Sequence, residues 1–319
     1  MATIITDLKE KFRRGNICLR LVYINVAVFV VVTLVRILFQ LFNHSLGSWI
    51  SWLELPASFS RFIMQPWTIL TYMFMHAGLL HILFNMLNRI CSSIIQIGRA
   101  GLLHILFNML WLYWFGTLFL QFFSAKHLRG VYLLGGICGG LLYMVSYNVF
   151  PYFQYMIEGS FLLGASASVL AIVAATAYRE PNYPIQLFLF GTVRLKYLAL
   201  IVIGMDLLFI TSSNAGGHIS HLGGALAGLW FAASLSKGRD ITAWINRLLD
   251  GIEGLFSPRP RKPKMKINYG GNRQKDYEYN ARKKSQSDEI DRILEKLKKS
   301  GYESLTAEEK KSLFDASKR

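Results

Sequence analysis

Charge and cysteine are both scarce in this chain. Only 17% of its 319 residues are charged, against 53% that are hydrophobic, and a soluble domain usually carries about 25% charged residues. The cysteines Cys18, Cys91 and Cys138 are scattered and form no CxxC pair. That excludes a disulfide framework and a thiolate zinc site from the reading. A cleavable leader is not expected either. The first apolar run is long, follows a charged lead, and ends at FNHS without a small-residue cleavage pattern. Acidic residues are few, 19 against 35 Lys and Arg, which leaves a net charge of +16. Much of this excess follows Lys237. A cytoplasmic tail obeying the positive-inside rule accounts for it, so nucleic acid is not expected as a partner.

Long apolar runs are what the chain does have. Runs of about twenty residues can cross a bilayer as helices. Six spans are predicted, over residues 17–42, 100–123, 131–149, 161–177, 197–210 and 218–235, and the apolar IQLFLF ahead of the fifth is expected to extend it. The fold class is therefore all-α, a polytopic membrane protein. Basic residues mark alternate loops: Lys9, Lys11, Arg13 and Arg14 before span one, Lys126 and Arg129 after span two. Arg179, Arg194 and Lys196 follow span four, and Lys237 and Arg239 follow span six. Both termini are then expected to be cytoplasmic. Four parts result: an N-terminus at 1–16, a membrane domain at 17–237, an amphipathic helix and basic linker at 238–286, and a helical hairpin at 287–319. In the amphipathic helix, Ile241, Trp244, Ile245, Leu248, Leu249 and Ile252 have helical spacing. The linker up to Gln286 reads as disordered from its polar, basic composition. In the hairpin, Gly301 is a stop signal, and Thr306 and Glu309 have capping-box spacing.

Polar side chains inside such spans are costly and tend to be functional. Ser166 stands in GASAS at the start of span four, and His221 in HISHLGGALAG at the start of span six. Both spans run inward, so the two residues lie at similar depth, as a nucleophile and its base require. Gly224 and Gly228 put a small-xxx-small face on span six, which lets it approach a neighbour closely. His218, one turn before His221, reads as a polar residue at the wet helix mouth. The stretch AGLLHILFNML occurs twice, at residues 77–87 and 100–110, each copy carrying a His and an Asn four residues apart. That spacing puts both on one helix face, where they and the Ser166 backbone N–H could serve as donors to an oxyanion. A small-solute transporter would show inverted repeats; the repeat here is local and direct.

Together, PWTILTYMFMHAGLLHILFNML, GASA and HLGGALAG, in that order within a six-span core, resemble the rhomboid intramembrane serine proteases. The resemblance covers residues 17–235, and the end of the chain more loosely resembles a tail domain of some bacterial rhomboids. It implies a rhomboid six-helix core with a short cytoplasmic helical tail in the cell inner membrane. It also implies a Ser166–His221 dyad, oxyanion donors from the His and Asn of HILFN, and no metal or cofactor. Substrates would be transmembrane proteins cut in or near their spans. The alternative is a catalytically impaired relative that binds membrane clients. The family has no acidic third member, so Asp206 in span five is expected to form a structural hydrogen bond. Two departures are visible. Many rhomboids carry an aromatic residue four positions after the serine, packed on the histidine, where this chain has Leu170. The duplicated stretch also offers two donor pairs, His81 with Asn85 and His104 with Asn108. Topology favours the second pair. Copy one meets Asn88 and Arg89 after about eleven apolar residues, too few to span, whereas copy two opens an uninterrupted span. Copy one is expected to be an interfacial or re-entrant segment.

Overall fold

A computed structural model describes residue 12 and residues 15–42, 47–76, 96–187, 191–256 and 273–317. Copy one, with His81 and Asn85, lies outside the described residues. The chain divides into two units, Met1–Ser257 and Pro258–Arg319.

The first unit is built on helices α1 (Ile17–Leu41), α2 (Gln96–Phe122), α3 (Ala125–Val149), α4 (Ser166–Arg179), α5 (Leu195–Leu208), α6 (Ala215–Ser236) and α7 (Ala243–Phe256). Among the described residues, four stretches are long and apolar enough to cross a membrane: Ile17–Phe39, His104–Phe122, Ala125–Val149 and Ala215–Ser236. This is an all-α, multi-pass membrane protein. Large apolar side chains face outward on several helices, including Val31 and Leu34 on α1, Leu200 and Leu208 on α5, and Leu226 on α6. On α4 and α6 most of the buried residues are small, chiefly Ala, Ser and Gly. That distribution suits a solvent of lipid tails, in which close packing rather than burial of oil drives helix association.

The packed centre is α3, α4 and α6. A Cβ at Gly224 would collide with the carbonyl of Ala167, and one at Gly228 with that of Ala171. The small-residue face of α6 therefore lies on α4. Gly139 of α3 meets the Ser220 carbonyl in the same way, 2.7 Å from where a Cβ would stand. The segment before α2 is pinned to this centre. Tyr72 donates its hydroxyl to the Gly136 carbonyl at 2.6 Å, and its own carbonyl accepts from Gly164 N–H at 2.9 Å. The start of α1 is anchored too. Cys18, Leu21 and Asn25 are buried, and Asn25 Nδ2 donates to the Tyr132 hydroxyl at 3.1 Å. No described residue of α1 beyond Asn25 is buried.

Several boundaries differ from the sequence reading. Residues 161 and 162 are extended: β2 (Phe161–Leu162) pairs antiparallel with β1 (Leu55–Pro56), so α4 begins at Ser166. The apolar run ahead of the fifth span does not extend that helix. It contributes to a hairpin of β3 (Pro184–Leu187) and β4 (Gly191–Arg194). A short apolar run fits a strand as well as a helix, and periodicity alone cannot separate them. On α7 the apolar stripe is divided. Ile245 is buried near Leu134 and Ala227, while Trp244, Leu248 and Ile252 are exposed. Polar clamps hold α7 to the start of α3: Arg129 Nε donates to Asn246 Oδ1 at 2.6 Å and Lys126 to Asp250 at 2.9 Å, and Arg129 also pairs with Asp250.

In the second unit, α8 (Arg273–Ser300) and α9 (Ala307–Ser317) form the expected hairpin, with Ile293 and Leu305 buried. Gly301 takes φ +79° at the turn, a conformation that glycine adopts without a steric penalty. Thr306 and Glu309 form the reciprocal capping box: Thr306 N–H donates to Glu309 Oε2 at 2.8 Å, and Glu309 N–H to Thr306 Oγ1 at 3.3 Å. The helix starts earlier than the sequence reading placed it. Residues 273–286, expected to be disordered linker, already belong to α8. They carry good helix formers such as Gln274, Lys275, Glu278 and Ala281 but no apolar stripe, and helix propensity alone is a weak signal.

Candidate functional site

Ser166 is the first residue of α4, with Ala165 at the cap and no side chain capping the helix. The first N–H groups of a helix have no intrahelical acceptor, so the backbone around Ser166 offers donors. The α6–α4 contact brings His221 to the same place. Ser166 and His221 line one cavity of about 670 Å³, together with His104, Asn108, Tyr143 and Leu170. The copy-two pair thus reaches the site that the serine and histidine share.

The geometry of that pair follows from α2. Asn108 is buried, and its Nδ2 donates to the His104 carbonyl one turn earlier at 3.1 Å. Gly164, at φ +126°, sits beside the His104 ring and the serine. A Cβ there would lie 3.6 Å from both His104 Cε1 and Ser166 Oγ. Any side chain at 164 would be strained at this φ, although a Cβ there would make only ordinary contacts.

His76 is a site neighbour that the sequence reading did not single out. Its ring meets that of His104 edge-on at 5.5 Å between centroids. Its Nδ1 lies 3.3 Å from the Phe74 carbonyl, and a carbonyl only accepts, so Nδ1 carries the proton. Burial, and secondarily the nearby His104, pulls the His76 imidazole down to about 4. The signal for it was a histidine placed directly before the repeat.

Asp206 is buried, with 4% of its surface exposed. Its Oδ1 lies 2.9 Å from His221 Nδ1 and 2.8 Å from His218 Nδ1. The expected hydrogen bond exists, and its partner is the candidate base itself. His218 is more than a polar group at the helix mouth: its ring also packs on Phe209 at 5.9 Å. The ligand atoms of Asp206, His218 and His221 lie within 4.8 Å of one another, close enough to share a metal ion. Both rings already point Nδ1 at a single carboxylate oxygen, so two N–H donors satisfy this arrangement, and we read it as a hydrogen-bond network.

Fold and cavity together define a multi-pass membrane protein with polar, chemically competent side chains gathered among its helices. The chain belongs to the rhomboid family: the rhomboid domain matches residues 64–92 and 89–238. Each matched stretch holds one copy of AGLLHILFNML. Residues 273–319 match a family of unknown function, DUF6576. The chain is also 29% identical over 181 residues to "RHOMBOID-like protein 12, mitochondrial" of Arabidopsis thaliana, an alignment covering 54% of this chain and 47% of that protein. The chain therefore spans about half the length of that relative.

Proposed function

We propose that the chain is an intramembrane serine endopeptidase that cuts transmembrane proteins in or near their spans. One observation carries this reading: Ser166, His221, His104 and Asn108, drawn from three helices, line a single cavity. His221 takes the Ser166 proton as Oγ attacks the substrate carbonyl. The oxyanion accepts from the Ser166 backbone N–H and from His104 and Asn108. Protonated His221 then gives its proton to the departing amine, and water hydrolyses the acyl-enzyme.

In this reading α1 to α6 are six spans, both termini are cytoplasmic, and the membrane is the cell inner membrane. The short α4 has a purpose. Its 14 residues rise about 21 Å, while the hydrocarbon core is about 30 Å thick. With Arg179 at the cytoplasmic face, Ser166 stands about 10 Å below the outer edge of that core. Irregular backbone ahead of it is tolerated there because it lines a cavity.

The test is purified full-length protein, reconstituted in liposomes with a panel of single-span substrates. Wild type should cleave at least one, Ser166→Ala none, and a fluorophosphonate should label wild type alone. Equal cleavage by Ser166→Ala would overturn the mechanism. Binding without cleavage by wild type would leave the client-binding alternative.

A further inference from the structure

His221 needs one nitrogen free to act as a base and the other held. A carboxylate oxygen only accepts hydrogen bonds. The 2.9 Å contact with Asp206 Oδ1 therefore puts the proton of neutral His221 on Nδ1 and leaves the Nε2 lone pair available. We propose that Asp206 is a positioning residue for the reaction. It fixes the His221 tautomer and ring orientation, and it stabilises the imidazolium formed when Ser166 loses its proton. This rests on the Ser166–His221 reading above.

Three features separate this role from a purely structural one. First, Asp206 comes from α5, whose other buried residues are only Leu195 and Ala199. A buried carboxylate is a costly way to hold an apolar helix in place, since exchanging it for a packed apolar group is often neutral or stabilising. Second, Asp206 Oδ2 is buried without a hydrogen-bond partner among the described residues. Leaving a buried oxygen unsatisfied costs stability, which fits a residue kept for its chemistry. Third, Leu170 lines the same cavity as His221 and offers no ring. Only the neighbouring His218 ring stacks near His221 among the described residues, 6.2 Å away between centroids and edge-on. His218 donates to the same carboxylate oxygen at 2.8 Å, which fixes the carboxylate from a second side. The orientation of His221 is thus held by a charge-assisted hydrogen bond, and such bonds are roughly twice as strong as neutral ones.

The experiment compares full-length wild type, Asp206→Asn, Asp206→Glu and Ser166→Ala in liposomes, on whichever single-span substrate wild type cleaves. Asp206→Asn should lower kcat by about 100-fold or more with KM changed less than about threefold, because asparagine can donate to Nδ1 and favour the wrong tautomer. Fluorophosphonate labelling of Ser166 should slow in parallel, and Asp206→Glu should recover part of the rate. An Asp206→Asn enzyme with kcat near wild type, alongside inactive Ser166→Ala, overturns this inference alone. Active Ser166→Ala overturns the underlying reading instead. Should Asp206→Asn not fold, nitrogen-15 NMR of histidine-labelled wild type in alkaline buffer decides, with His221→Gln for assignment. A proton on Nδ1 of His221 supports the proposal, and a proton on Nε2 overturns it.

Discussion

Helices α4 and α5 each run for 14 residues, yet eleven residues of α4 are buried and three of α5. Their sequences explain the difference. SASVLAIVAATAYR is rich in Ala and Ser, and LKYLALIVIGMDLL is rich in large aliphatics. In lipid, the oilier helix is the one left outside, since hydrocarbon tails solvate Leu and Ile as well as a protein interior does. Small side chains win the centre because they let backbones approach. Each helix still delivers a polar group to the neighbourhood of His221: α4 brings Ser166 to the cavity His221 lines, and α5 brings Asp206 to its Nδ1. The difference teaches that, in this fold, burial and chemistry are separately encoded.

The sharpest way to break the comparison is to remove the chemistry and keep the packing. Ser166→Ala or His221→Ala should cut turnover by about 10,000-fold or more, with unchanged thermal unfolding in detergent. Residual turnover above that would mean another nucleophile or base. Next come the oxyanion donors on α2. His104→Ala or Asn108→Ala should lower kcat by about 10–1000-fold with KM little altered. His81→Ala and Asn85→Ala should do much less, and deleting residues 77–99 should leave activity at least at the parent level. Reversed results would hand the donor role to copy one.

Packing can also be broken while the chemistry stays. Gly224→Val drives side-chain atoms into the Ala167 carbonyl, and overpacking of this kind costs about 1–3 kcal/mol or more. Leu200→Ala, on the outer face of α5, should change stability by less than about 0.5 kcal/mol. Equal unfolding midpoints for the two variants would dissolve the distinction drawn between α4 and α5. The smallest effect concerns α7. Hydrogen bonds from Lys126 and then Arg129 hold the Asp250 carboxyl below its ordinary range. A carboxylate with a depressed folded-state pKa stabilises above its unfolded value and loses that contribution as pH falls through the folded one. The difference in unfolding midpoint between wild type and Asp250→Asn should therefore shrink on acidification from neutral pH.

Much of the site was legible in the sequence because its residues sit in short motifs with a physical requirement behind each. Gly224 and Gly228 announced a close helix neighbour, and the neighbour is α4. His and Asn at four-residue spacing announced one helix face, and His104 and Asn108 share the cavity. Asp206 was legible as a hydrogen-bonding residue but not as the partner of His221. That contact depends on how α5 turns against α6, and no local spacing records it. His76 escaped because it stands just before copy one while its ring partner His104 lies within copy two. The strands at Phe161–Leu162 and Pro184–Leu187 escaped because their apolar runs are too short for periodicity to decide.

Helix α1 is supported unevenly along its length. Its 25 residues rise about 37 Å, longer than the roughly 30 Å hydrocarbon core, and among its described residues the buried ones are confined to the stretch from Cys18 to Asn25. It is a beam clamped at one end. A thinner or thicker bilayer loads every helix, and the least supported one yields first, by tilting or bending at a cost of fractions of a kcal/mol per Å of mismatch. The length of α1 beyond Asn25, where Phe29 still packs on the core, is thus more compliant than α4. A change in bilayer thickness taken up there would leave the α4–α6 contact of Ala167 with Gly224 undisturbed.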